Sequence, residues 1–119
     1  MGLLSGKYAK ATALSKTDIR NNPPPWLIYF NKKGADKAHL ARIGAISDIL
    51  TTQGRTLVQG ALAWIWAKHP SCTPIPGIRT LAQAKENLAA VQFGPLTQTQ
   101  MLEIDNVLAP DPFQVENSL

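Results

Sequence analysis

The chain has 119 residues, enough for one domain of ordinary size. Hydrophobic residues make up 45% and charged residues 17%, with no apolar run near the roughly 18 residues of a membrane span, so no membrane partner is expected. The N-terminus lacks a basic start followed by a long apolar core, which makes a secretory signal unexpected and the cytoplasm the default location. Twelve Lys and Arg against eight Asp and Glu give a net charge of +4, but they form no contiguous block, which favours a small anion over nucleic acid as partner. The single cysteine, Cys72, is expected to be a small buried residue, and with only His39 and His69 beside it no metal-ligand spacing exists.

In chain order, residues 2–4 read as a brief strand. Residues 9–35 have no sustained period, three consecutive prolines at 23–25 and an aromatic cluster at Trp26, Tyr29 and Phe30. They form a long loop, and the aromatics argue that part of it docks as a cover over a site. Residues 36–53 place Leu40, Ile43, Ile46 and Leu50 at helical spacing, with Gly54 as the stop. A second helix opens with Thr56 and Gln59 and is apolar almost all round through Trp64, Ile65 and Trp66, so it should be sandwiched. Lys68 and His69 suit its negative end, and Pro70 stops it.

Residues 73–75 predict a short strand fenced by Pro74 and Pro76. A turn with Gly77 and Arg79 follows, then a third helix from Thr80 with Leu81, Ala84, Leu88 and Val91 as its apolar stripe. The fourth helix starts at Thr97, with Gln100 completing its capping box and Leu96 facing Met101 as a hydrophobic staple; Pro110 ends it. Three helices thus share one start signal, Thr followed three residues later by Gln.

The turn before the third helix has the composition of an anion site. The free N–H groups of a helix's first turn hold negative charge, Gly77 permits close backbone approach, and Arg79 adds a fixed cation. A phosphate monoester fits that description. Gln83, Glu86 and Asn87, three and four residues apart, lie on one side of the helix as candidates to meet a base or ribose. Taken singly, each also reads as a cap or a solvated side chain.

PIPGIRTLAQAKEN resembles the last strand and following helix of the aldo-keto reductases, NADP-dependent enzymes built on a (β/α)8 barrel. GLLSGKY resembles the end of the seventh barrel strand and its loop, GRTLVQGALAWIWAKHP the seventh helix, and FGPLT with the next helix the C-terminal extension. The resemblance covers nearly the whole chain, in order. It implies an α/β fold class: residues 1–119 are the C-terminal fragment of a (β/α)8 TIM barrel, mostly helical within this chain. It further implies that Gly77 and Arg79 lie against the adenosine 2′-phosphate, that Gln83, Glu86 and Asn87 line the adenine and ribose, and that Arg79 favours NADP over NAD. Lys7 matches a lysine near the cofactor's phosphates, and Arg20 an arginine of the covering loop.

The family's proton-donating tyrosine and the lysine, aspartate and histidine around it come from earlier strands, so no catalytic residue is expected here. Tyr8 and Tyr29 are the only tyrosines. The implied function is the cofactor-binding part of a carbonyl or alcohol oxidoreductase, inactive alone and partnered by a separately encoded N-terminal half. A free-standing nucleotide-binding regulatory or subunit-interaction module is the alternative.

Overall fold

The computed structural model describes residues 2–8 and 14–109. Four helices dominate: α1 (Lys37–Leu50), α2 (Leu57–Lys68), α3 (Leu81–Ala89) and α4 (Gln98–Leu108). Each begins where a side chain satisfies an orphan N–H. Asp36 accepts from His39 N, while Thr56, Thr80 and Thr97 accept from the N–H of Gln59, Gln83 and Gln100, whose side chains reach back to complete capping boxes.

The end of α1 falls three residues before the expected one. Thr51 and Thr52 direct their hydroxyls onto the carbonyls of Ser47 and Ile49, both at 3.0 Å, and the chain then leaves the helix through a 3-10 turn at Thr52–Gly54. Gln53 and Gly54 both take left-handed φ there, at 62° and 78°. Threonine hydroxyls competing for helix carbonyls account for the early exit.

Packing centres on Ile46 and Leu50 of α1, Ala63 of α2, Leu96 before α4 and Ile104 within it, with Leu57, Trp64 and Met101 around them. Met101 and Leu96 meet in this core as the staple requires. The α1–α2 crossing depends on Gly60: a Cβ added there would lie 2.1 Å from the carbonyl oxygen of Leu50. Helix α2 contacts α1, α3 and α4, the sandwiched position expected of its composition. Buried Arg55 ties the α1–α2 turn to the chain before α4, donating to Thr52 Oγ1 at 3.2 Å and to Phe93 O at 3.1 Å.

A second, smaller core gathers Tyr8, Leu27 and Phe30, with Leu3, Leu14 and Ala35 against it. The described part of the long loop therefore has structure of its own. It carries a 3-10 turn at Ile19–Asn21 and an antiparallel hairpin of β1 (Phe30–Asn31) and β2 (Gly34–Ala35), with Phe30 opposite Ala35. Of the aromatic cluster only Phe30 is buried; Trp26 is 66% exposed and Tyr29 packs edge-on against His39.

Several expectations fail. Residues 73–75 belong to no strand, and residues 2–4 enter a 3-10 turn at Leu3–Ser5 instead of a strand. A strand exists only by pairing, and the hairpin is the only sheet among the described residues. The apolar stripe of α3 is open to solvent. Leu81, Leu88 and Val91 are exposed, Leu88 by 73%, while the buried positions are Asn87 and, in the 3-10 turn Ala90–Phe93, Ala90. Cys72 is exposed, because the segment around it packs against little. The stop at Pro110 lies outside the described residues; α4 ends at Leu108, whose carbonyl accepts from Arg42 Nη2 at 3.0 Å.

Candidate functional site

The turn before α3 is organised by its own helix cap. Gln83 folds back so that Oε1 accepts from the N–H of Arg79 at 2.8 Å and of Thr80 at 3.2 Å, while its N–H donates to Thr80 Oγ1 at 3.2 Å. Two N–H groups at the positive end of α3 are therefore engaged by an amide oxygen. Arg79 itself is exposed.

Gly77 does not take a left-handed φ, and a Cβ built on it meets nothing within 4 Å. No intrachain contact requires glycine there; what it leaves is open space in front of the helix. Asn87 is buried, and its Nδ2 makes a long 3.5 Å contact with Gly77 O, so it steadies the turn from behind. Glu86 is half-buried, and its carbonyl accepts from Gln59 Nε2 at 2.9 Å, which fastens α3 to α2. The expected row is thus split: Gln83 and Asn87 turn towards the 77–80 backbone from two sides, and the Glu86 backbone anchors the helix.

Lys7 and Arg20 belong to the segments around the smaller core, Lys7 next to Tyr8 in the chain and Arg20 over the Tyr8 ring. Lys7 is exposed, in the turn after the 3-10 segment, with its N–H donating to Ser5 Oγ at 3.3 Å. Arg20 reaches the hydroxyl of Tyr8 with Nη1 and the carboxylate of Asp18 with Nε and Nη2, at 2.8 and 2.5 Å. The Arg20 side chain, with its backbone N–H, holds the Asp18 carboxyl down at about 2, and the charge of Arg79 adds to the effect. Reciprocally, Asp18 raises the Arg20 guanidinium above its ordinary value.

Spacing in the sequence did not reveal Asp18 and Tyr8 as partners of Arg20, nor Gln59 as the anchor of α3. For Asp18 a signal existed, since an Asp two residues before an Arg is a common turn-capping arrangement. Tyr8 lies twelve residues from Arg20, beyond any local pattern. Tyr29, His39 and Asp36 also meet: Asp36 Oδ2 lies 2.8 Å from His39 Nδ1, and Tyr29 stands edge-on to the imidazole at 4.8 Å. Here His39 holds the Asp36 carboxyl below its ordinary value. Since Asp36 is the N-cap of α1 and Tyr29 offers its ring, this group serves the helix start.

Among the described residues no cluster of His, Cys, Asp and Glu could hold a metal, and no helix is long and apolar enough to cross a membrane. A groove of about 490 Å³ lined by Trp66, Pro70, Val91 and Pro95 shares no residue with the turn before α3.

The profile of the Aldo/keto reductase family matches residues 1–109. A protein of Arabidopsis thaliana named pyridoxal reductase, chloroplastic, is 28% identical over 112 residues, which cover 94% of this chain and 27% of that protein. Pyridoxine 4-dehydrogenase of Escherichia coli K12 is 40% identical over 45 residues, 38% of this chain and 16% of that enzyme. The chain thus spans about a quarter of the plant protein it matches along nearly its whole length. No solved structure matches. With the family profile covering all but the last ten residues, the chain belongs to the aldo/keto reductase family.

Proposed function

We propose that this chain is the C-terminal, cofactor-binding portion of an NADP-dependent aldo-keto reductase, a fragment of a (β/α)8 barrel that holds the adenosine end of NADP and does not reduce a carbonyl alone. The observation that carries the reading is the open space at Gly77 beside the exposed Arg79, at the capped N-terminus of α3. A phosphate there finds a positive helix end, an arginine able to donate in two-pronged fashion and no Cβ in its way. To reach the N–H groups of Arg79 and Thr80 it has to displace Gln83 Oε1, which then becomes available to the nucleoside. Asn87, Glu86 and Gln59 keep the turn and α3 in register. Lys7 and Arg20 are assigned to the phosphates farther along the cofactor.

NADPH, when bound, supplies the hydride. The proton donor has to come from elsewhere, because Tyr8 is buried against Arg20 and Tyr29 packs on a helix cap. A separately supplied N-terminal half completes the reading, and pyridoxal, named in the plant relative, is the first carbonyl to assay.

Titration of the chain with adenosine 2′,5′-bisphosphate tests the grip. Saturable binding is expected, and Arg79→Ala should weaken it by about tenfold, the order of one charge-assisted hydrogen bond. An affinity indifferent to that substitution rejects the site. Recovery of pyridoxal reduction on adding the N-terminal half favours the split-enzyme reading over a free-standing nucleotide-binding regulatory or interaction module, which predicts binding without activity.

A further inference from the structure

Arg20 is fixed from three directions. Asp18 grips the guanidinium through both carboxylate oxygens and also accepts from the Arg20 backbone N–H at 2.9 Å, so one carboxylate orders main chain and side chain together. The Tyr8 hydroxyl accepts from Nη1. The rings of Tyr8 and Phe30, edge to face at 5.7 Å, lie 5.0 and 5.7 Å from the guanidinium carbon. Both rings are at least 95% buried, so the platform does not move. The backbone of the preceding turn fits against this assembly: a Cβ on Gly2 would lie 3.2 Å from Tyr8 Cε2 and 3.9 Å from Arg20 Nη1.

An unrestrained arginine carries rotamer entropy that anion binding would have to remove. Here the fold has removed it beforehand, and in the same turn as Tyr8 sits Lys7. We infer that Asp18 is a positioning residue for cofactor binding: with Tyr8 it presets the Arg20 guanidinium, so that this cation meets the cofactor's phosphates already ordered. This rests on the NADP reading above.

The test compares the full chain with Asp18→Asn, Arg20→Gln and the double variant, each titrated with NADPH and with adenosine 2′,5′-bisphosphate. The bisphosphate reports only the adenosine end. Asp18→Asn and Arg20→Gln should each weaken NADPH binding about tenfold, the double variant no more than Arg20→Gln alone, and the bisphosphate affinity should not change. In the ligand-free chain, the Arg20 Nε–H resonance should be sharp and slow to exchange, and lost in Asp18→Asn. If Asp18→Asn does not fold, Tyr8→Phe carries the test, because it removes the hydroxyl and keeps the ring; about threefold weaker NADPH binding is expected. Unchanged NADPH affinity in the variant, or losses that simply add in the double variant, overturn the positioning role while leaving the adenosine site standing. A wild-type chain that does not bind the bisphosphate overturns the site itself, and the positioning role with it.

Discussion

At Asp18 the ordinary carboxyl value of 3.8 falls to about 2, chiefly because Arg20 donates to the charged form from side chain and backbone. The folded chain therefore binds this proton less readily than the unfolded one, and the contribution is complete above the unfolded value and lost as pH falls towards the folded one. Asp18→Asn mimics the protonated state. The difference in Tm between wild type and Asp18→Asn should accordingly stay constant from about pH 7 to about pH 5, shrink below about pH 4 and vanish only below about pH 2. A difference independent of pH would show that the carboxylate's charge is not what orders Arg20. Residues of this kind are hard to read in advance. Arg79, Gln83 and Asn87 stood out because they lie within one turn and one helix, but the grip on Arg20 joins residues 8, 18, 20 and 30, which share no period.

Between elements, Gly60 brings α2 close against the end of α1. A methyl group at Gly60 would sit 2.1 Å from Leu50 O, 2.7 Å from its carbonyl carbon and 2.8 Å from its Cβ, and the first two are backbone atoms that cannot swing aside. Gly60→Ala should therefore destabilise the chain by about 1–3 kcal/mol, even though alanine is the better helix former by about 1 kcal/mol. A lower denaturant midpoint with unchanged slope is the measurement, and a midpoint raised by propensity alone would mean that the helices can separate freely. The helix starts were legible because a capping box is written within four residues, and all three Thr-x-x-Gln boxes close as expected. Gly60 carried no such signal in an otherwise apolar run. Residues 73–75 misled for the opposite reason, since their composition suits a strand and the pairing that makes one depends on distant chain.

For the whole molecule, the consequence of that unpaired segment is apolar surface. Ile75 is 95% exposed, Ile78, Leu81, Leu88 and Val91 follow it, and the three residues on and just after α3 keep the helical spacing that marked them as one stripe. Periodicity made the stripe readable, since it says which residues share a face, but it says nothing about what covers that face. With the chain spanning about a quarter of its plant relative, the cover is not supplied among the described residues. A leucine side chain moved from water into a contact contributes about 1.5–3 kcal/mol when fully buried, and every 1.4 kcal/mol is tenfold in a dissociation constant. The 119-residue chain should therefore self-associate at micromolar concentration. Replacing Leu81 and Leu88 together by lysine should shift that equilibrium at least tenfold towards monomer without loss of helix, since both positions are exposed and lysine is a good helix former. Sedimentation velocity across a concentration series, with far-ultraviolet circular dichroism as the control for folding, reads both quantities. Equal association of variant and wild type would place the sticky surface elsewhere, with the groove between Trp66 and Pro95 next to be altered.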